Sequence, residues 1–232
     1  MSFGPSAAFL LLLALRPAHA REVPEATPDP EKVTQHALDG TGKILEVPFV
    51  ATPSRVVDKM IGMAALKEGD VIYDLGCGDG RIVFAAVENK DVRGVGYDLD
   101  PARIEECREK AKAAGVEEST EFHEQDIFAV DLSPATVVAL YLVPEVNNRL
   151  LPKLLRELRP GTRILSHNYG FHAWPPEREE VIDVPDIGTD SSGEHKILYW
   201  TVPEDAVALL AAAESAARST PSPEAAPASD AR

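Results

Sequence analysis

Residues 71–81 constrain the fold of this chain more than any other stretch. They read Val-Ile-Tyr-Asp-Leu-Gly-Cys-Gly-Asp-Gly-Arg, an apolar strand that ends in an acidic residue and runs into alternating glycines. An apolar stretch typical of a helix, 82–87, follows directly. Glycine lets backbone N–H groups approach a ligand closely, and the N-terminus of the following helix adds partial positive charge. The turn is therefore suited to a carboxylate or a hydroxyl-rich ribose.

The rest of the chain alternates strands with helices. The further strand candidates are 93–99, 120–125, 136–142 and 162–167, and the helix candidates include 101–114 and about 146–158. This alternation predicts an α/β fold with a doubly wound, mostly parallel sheet. Two more strands, 179–184 and 195–202, are separated by a glycine-containing loop. They predict a C-terminal antiparallel strand pair that closes one edge of the sheet.

Composition divides the chain into four parts, which are a signal peptide at 1–20, a flexible acidic and proline-rich linker at 21–43, a folded domain at 44–203 and an Ala/Pro/Ser-rich tail at 204–232. The tail is expected to be largely disordered, although 206–217 has the propensity to form a helix. At the start of the domain, Thr52 is predicted to cap a helix whose first residue is Pro53.

The N-terminal apolar run, 7–15, is too short to span a bilayer and precedes an Ala-His-Ala cleavage pattern at 18–20. We therefore expect export to the periplasm or medium, with no stable membrane span after cleavage. No basic residue precedes the run. The alternative is an uncleaved N-terminal helix, which would leave the protein cytoplasmic or membrane-associated.

Charge and cysteine usage exclude several classes of partner. The formal net charge of −15 argues against a nucleic-acid partner, and a basic protein segment or a small molecule is easier to accommodate. The two cysteines, Cys77 and Cys107, lack neighbouring metal ligands, and no metal site is predicted. Cys107 shares the apolar face of its helix and is interpreted as a core residue.

Acidic residues end three successive strand candidates, at Asp74, Asp98 and Asp126. In a doubly wound sheet these positions meet at one edge, where ligands bind. Asp98 can accept two ribose hydroxyls, and Asp126 can accept an exocyclic adenine amine while Ile127 packs on the ring. Asp100 is interpreted as a helix cap. A nicotinamide or flavin dinucleotide site is the rival interpretation, but its GxGxxG pattern places the third glycine one position later.

The motif at 71–81 resembles motif I of the class I S-adenosylmethionine-dependent methyltransferases. Further strings extend the resemblance, at 48–53, 135–142, 144–147 and 158–167. Together they are similar to bacterial relatives of the mitochondrial protein-lysine methyltransferases that act on the adenine nucleotide translocase and on the c-ring protein of the ATP synthase. The resemblance implies a Rossmann-like, seven-stranded methyltransferase fold and S-adenosyl-L-methionine as cofactor.

The cofactor site that we predict from the motifs and the resemblance consists of Thr52, Asp74, Gly76, Gly78, Gly80, Asp98, Asp126 and Ile127. The resemblance also implies an enzyme that methylates a protein lysine. A small-molecule N- or O-methyltransferase, or a cofactor-binding protein without transfer activity, is the alternative.

The methyl acceptor is expected at the end of the fourth strand candidate. Tyr141 can orient an amine, Glu145 can attract a cation, and His167, at the end of the next strand, can form a lid. These three are the candidate catalytic residues. Each also has a structural interpretation: Tyr141 as a core aromatic, Glu145 as a helix-start acid, and His167 as a histidine bonded to backbone.

Overall fold

The computed structural model describes residues 34–39, 43–48, 50–88, 91–184 and 193–219. The predicted signal peptide and the residues after 219 lie outside this part of the chain. No helix within it is long and apolar enough to cross a membrane.

The described residues form nine strands, which are β1 Thr34–Asp39, β2 Lys43–Pro48, β3 Val71–Leu75, β4 Arg93–Asp98, β5 Thr120–Glu124, β6 Val137–Leu140, β7 Arg163–His167, β8 Arg178–Val184 and β9 Gly193–Thr201. They also form five helices, which are α1 Ser54–Ala64, α2 Arg81–Val87, α3 Pro101–Ala114, α4 Pro144–Glu157 and α5 Val207–Ser219.

Seven of these strands form one sheet, in the order β5-β4-β3-β6-β7-β9-β8. Strands β3 to β7 pair in parallel, whereas β9 is antiparallel to both β7 and β8. The predicted doubly wound sheet with a C-terminal antiparallel pair is confirmed. The order reverses between β3 and β6, so the carboxyl ends of these two strands border the crevice where such folds bind ligands.

Both faces of the sheet are covered, which explains why its central strand, β6, is apolar at every position. In β6, Val138 and Leu140 pack into the core that includes α4, while Val137 and Ala139 pack into the core that includes α1 and α2. Residues that alternate along a strand point to opposite faces, so one short strand joins both cores.

The boundaries of the folded domain differ from the prediction at both ends. Within the predicted linker, β1 pairs with β2 as an antiparallel hairpin, so residues 34–39 form a strand. In the predicted tail, a helix forms as the propensity of 206–217 indicated, and this helix, α5, packs on α4: Ala213 is buried, and Arg156 and Glu214 form a 2.6 Å ion pair. The domain therefore extends to Ser219, because the Ala/Leu-rich stretch covers an apolar helix face that would otherwise be exposed.

Candidate functional site

The glycine turn is fastened to the neighbouring strand by its own backbone. Both Gly76 N–H and Cys77 N–H donate to the carbonyl of Tyr97, at 2.8 and 2.9 Å. Gly76 has φ 87°, and Gly78 and Gly80 also have positive φ, which other residues rarely adopt. The turn therefore lies across the carboxyl ends of β3 and β4, as the sequence predicted.

Asp98 ends β4 directly beneath this turn and is only 4% exposed. Its carboxylate accepts hydrogen bonds from Gly78 N–H at 2.8 Å and from Asp100 N–H at 3.0 Å. Burial raises the pKa of Asp98, while these backbone donors oppose the rise. Asp100 caps α3 by accepting from Ala102 and Arg103 N–H, which confirms its predicted role.

Asp74 is the most strongly perturbed acid of the site. Burial, followed by the nearby charges of Asp98 and Asp79, raises its pKa to about 8. Asp126 follows β5 and is partly buried, its Oδ1 accepting from Phe128 N–H at 3.0 Å, and Ile127 beside it is buried. The backbone N–H of Gln125 donates to Asp98 O at 2.9 Å. The three strand-end acids therefore border one edge of the sheet.

Sequence reasoning missed the ion pair inside the turn. Arg81 holds Asp79 with both Nε and Nη2, and its Nη1 donates to the carbonyl of Thr52 at 2.6 Å. Burial works to raise the pKa of Asp79, but the hydrogen bonds and charge of Arg81 outweigh it and lower the pKa. The sequence did contain a signal for this ion pair, because Asp79 and Arg81 lie two positions apart in the glycine turn.

The structure corrects the roles predicted for Thr52 and His167. Pro53, not Thr52, occupies the N-cap of α1, and no side chain caps that helix. Instead, Thr52 Oγ1 lies 3.2 Å from His167 Nδ1, and His167 Nε2 lies 2.8 Å from His195 Nδ1. His167 is 0% exposed, so it cannot form a lid; its partners are side chains and not backbone.

Two tyrosine rings lie near this buried histidine. Tyr141, partly buried just beyond β6, contacts the His167 ring with centroids 3.9 Å apart. Tyr169, which is 41% exposed, lies nearly parallel to Tyr141, at 13° and 6.5 Å between centroids. Glu145 is exposed in the first turn of α4. The structure thus brings Tyr141 and His167 together and leaves Glu145 at the surface.

Comparison with known proteins identifies the family. Residues 74–178 match the family model of the ANTKMT methyltransferase domain. The chain is 40% identical over 157 residues to a protein-lysine N-methyltransferase of Saccharolobus islandicus (strain REY15A), covering 65% of this chain and 96% of that protein. The chain belongs to the class I S-adenosylmethionine-dependent methyltransferases.

Other relatives of this methyltransferase carry different names. The adenine nucleotide translocase lysine N-methyltransferase of Mus musculus is 34% identical over 132 residues, and the match spans 57% of this chain and 57% of that protein. A crystal structure of an RNA methyltransferase from Salinibacter ruber, in complex with S-adenosyl-L-homocysteine, is 44% identical with a TM-score of 0.60. It covers 67% of this chain and 95% of its own.

The side chains of the methyltransferase fit its cofactor. Two buried carboxyl groups, Asp74 and Asp98, lie close enough for the charge of one to raise the pKa of the other. Carboxylate oxygens accept hydrogen bonds and attract cations, so this pair suits a ligand with an ammonium group and vicinal hydroxyls. Among the described residues, no group of three or more His, Cys, Asp or Glu side chains could hold a metal ion.

Proposed function

We propose that this methyltransferase transfers a methyl group to the amine of a lysine side chain in a protein. The observation that carries the proposal is the pair of rings, Tyr141 and Tyr169, at the carboxyl ends of β6 and β7. An aromatic pair of this kind suits an aliphatic chain that ends in a cation. The lysine-specific names of the Saccharolobus and mouse relatives support the same acceptor.

The tyrosine pair borders the cofactor side of the crevice. Leu142, which follows Tyr141, packs so closely on the glycine turn that a Cβ on Gly76 would lie 2.8 Å from its Cδ2 atom. Leu75 and Leu140, the last residues of β3 and β6, are paired neighbours in the sheet. The acceptor and cofactor sides therefore share one short stretch of strand ends.

Each strand-end acid has a separate task in this proposal. Asp98 would hold the ribose hydroxyls, Asp126 with Ile127 the adenine, and Asp74 with the glycine turn the amino-acid end of the cofactor. The sulfonium of S-adenosyl-L-methionine supplies an already activated methyl group. The protein accelerates transfer mainly by aligning the acceptor with it. Glu145, exposed nearby in α4, would attract a cationic lysine.

The lysine ammonium must lose a proton before it can accept a methyl group, and the nearby side chains are poorly suited as bases. Both ring nitrogens of His167 are paired, and its pKa is lowered to about 3. Burial raises the pKa of Tyr141, which keeps its phenol protonated. The proton therefore passes to solvent, so kcat/KM should rise with pH towards the lysine pKa of about 10.4.

A labelling experiment tests the acceptor. S-Adenosyl-L-methionine with a radiolabelled methyl group is incubated with the enzyme and a lysate of cells that lack it, and the protein, RNA and metabolite fractions are separated. We expect label in protein, released as methyl-lysine on acid hydrolysis. The Asp98→Ala variant serves as the inactive control. Label in protein residues other than lysine, or only in metabolites, would contradict the proposal.

RNA is the second candidate acceptor, because the Salinibacter ruber structure is named an RNA methyltransferase. The formal net charge of −15 opposes it, since RNA binding depends on neutralising phosphates with basic side chains. We therefore expect no label in the RNA fraction at low or moderate salt. Label there that declines as salt is raised would favour RNA over lysine.

A further inference from the structure

The segment that joins β7 to β8, residues 168–177, carries Tyr169 and is attached to α4 by two buried asparagines. Asn147 Nδ2 donates to the carbonyl of Tyr169 at 2.9 Å, and Asn148 Oδ1 accepts from His172 N–H at 2.7 Å. All of this segment is described, and none of it forms a helix or a strand of the sheet. The two asparagine bonds therefore hold the first half of the segment on α4.

Asn147 is an unfavourable residue for the stability of α4. It is 0% exposed and lies one helical turn before Leu150 and Leu151, on the face that packs into the core. Asparagine forms helices poorly and loses hydration when it is buried. Its Oδ1 atom is buried and, within the described part of the chain, has no hydrogen-bond partner. An apolar residue would suit this position better, so the bond from Nδ2 to Tyr169 is the feature that accounts for the asparagine.

The backbone of Tyr169 is fixed on both sides of its Cα atom. Its carbonyl accepts from Ser166 Oγ at 2.6 Å and from Asn147 Nδ2 at 2.9 Å, which uses both lone pairs of the oxygen. Its N–H donates to the carbonyl of His167 at 2.7 Å. These bonds set the direction in which the side chain leaves the backbone. The partly exposed ring accordingly lies 6.5 Å from the Tyr141 ring, at 13° to its plane.

We propose that Asn147 is a positioning residue for the methyl acceptor, which holds the Tyr169 ring opposite Tyr141 by donating to the Tyr169 carbonyl. The inference rests on the proposed function, because the place of this ring matters for transfer only if the ring contacts the acceptor chain. It also accounts for the choice of asparagine. Leucine has a similar shape but no donor, and aspartate would place an acceptor against the carbonyl oxygen.

A double-mutant cycle between Asn147 and Tyr169 tests the inference. Asn147→Leu keeps the approximate shape of the side chain and removes the donor, and Tyr169→Leu removes the ring. Initial rates of lysine labelling are measured at saturating S-adenosyl-L-methionine, with the lysate of cells that lack the enzyme as acceptor. We expect Asn147→Leu to lower the rate about tenfold with the cofactor Kd unchanged, and to have no further effect in the Tyr169→Leu background.

Thr120→Val is the matched control for the loss of a buried hydrogen bond. Thr120 is buried at the start of β5, and its Oγ1 donates to the carbonyl of Val116 at 2.9 Å, the same length as the bond from Asn147. The variant removes this bond at the opposite end of the sheet from the crevice, so it should leave the rate unchanged. Equal proportional losses from Asn147→Leu in both backgrounds, or a Tyr169→Leu variant as active as the wild type, would overturn the inference.

Fluorine NMR reports on the Tyr169 ring without any acceptor. The chain has five tyrosines, so labelling with 3-fluorotyrosine gives five signals, and Tyr169→Phe identifies the one from Tyr169. Asn147→Leu should shift this signal and leave in place that of Tyr199, which packs on the other face of the sheet. Thr120→Val should shift neither signal. A Tyr169 signal that Asn147→Leu does not shift overturns this inference, whatever the acceptor. Failure of the wild-type enzyme to label lysine, with that shift present, overturns the proposed function instead.

Discussion

The Nε2 atom of His167 lies 2.8 Å from the Nδ1 atom of His195, and both rings are buried. In such a pair one ring nitrogen donates and the other accepts, so a second proton would replace a hydrogen bond with repulsion. Burial first, and the charge of His195 second, lower the pKa of His167 to about 3. The chain thus holds a neutral histidine beneath Tyr141 throughout the physiological range.

This histidine pair predicts a loss of stability in acid. The unfolded chain binds a proton at His167 near pH 6.5, whereas the folded chain does so only near pH 3. Stability is therefore lost as pH falls below about 6.5, by at most about 1.4 kcal/mol per pH unit. Urea denaturation should show that the free energy of unfolding of the wild type decreases between about pH 7 and pH 5 through His167, and that the His167→Asn variant lacks this contribution. An identical pH dependence in the variant would contradict the lowered pKa.

Asp74 predicts the opposite dependence. Its pKa is raised from 3.8 to about 8, so the folded chain keeps a proton that the unfolded chain releases. Stability therefore falls as pH rises from about 4 to about 8, by at most about 1.4 kcal/mol per pH unit. In the cofactor-free wild type, the pH dependences of stability that arise from Asp74 and from His167 have opposite signs below about pH 6.5. In the Asp74→Asn variant, the free energy of unfolding should no longer fall between about pH 6.5 and about pH 8. If it still falls in the variant, a group other than Asp74 causes the decrease.

The positions of the glycine turn and of the strand-end acids could be predicted from sequence because their signals are local. The glycines and the acid at Asp74 lie within one short motif, and strand ends at Asp98 and Asp126 follow from the alternation of strands and helices. Parallel strands place their carboxyl ends at one edge, so order along the chain was sufficient. The same reasoning predicted Asp100 as a helix cap.

Tyr141 was among the predicted residues, but the contacts of His167 beside it could not be predicted, because they join distant parts of the chain. Thr52 and His167 are 115 residues apart, and His167 and His195 are 28 apart, so no local pattern marks their pairing. Thr52 followed by a proline is typical of a helix cap, but burial against β7 overrides that preference. Asn168, which follows β7, has φ 61° and exchanges two hydrogen bonds with Lys196 of β9, 28 residues away.

A third prediction tests the ribose-binding role that we propose for Asp98. Asp98→Asn keeps an oxygen that can accept from Gly78 N–H and loses the negative charge. Charge-assisted hydrogen bonds to the ribose should weaken accordingly, lowering S-adenosyl-L-methionine affinity by about 1.5–3 kcal/mol. Isothermal titration calorimetry measures the change. Asp100→Asn is the matched control, because asparagine caps a helix as well as aspartate and binding should remain unchanged. Equal weakening in both variants would argue against a specific role for Asp98.

A fourth prediction concerns the contact between the glycine turn and Leu142. Gly76 and Gly115 both have positive φ, at 87° and 69°, but a Cβ on Gly76 would lie 2.8 Å from Leu142 Cδ2, whereas one on Gly115 would meet nothing within 4 Å. Alanine at either position should cost about 1–2 kcal/mol of stability through φ alone. Only Gly76→Ala should also displace Leu142, next to Tyr141, and reduce cofactor affinity.

Paired substitutions separate the steric effect at Gly76 from its conformational effect. In Gly76→Ala/Leu142→Ala the overlapping atoms are gone, so part of the lost cofactor affinity should return, although the positive φ of residue 76 remains unfavourable. Urea denaturation and calorimetry are measured for both single variants, the double variant and Gly115→Ala. Cofactor affinity should be normal in Gly115→Ala, lowest in Gly76→Ala and intermediate in the double variant. If adding Leu142→Ala restores none of the cofactor affinity lost in Gly76→Ala, the loss comes from the backbone conformation of the turn. The packing of Leu142 then does not couple the acceptor side of the crevice to the cofactor side.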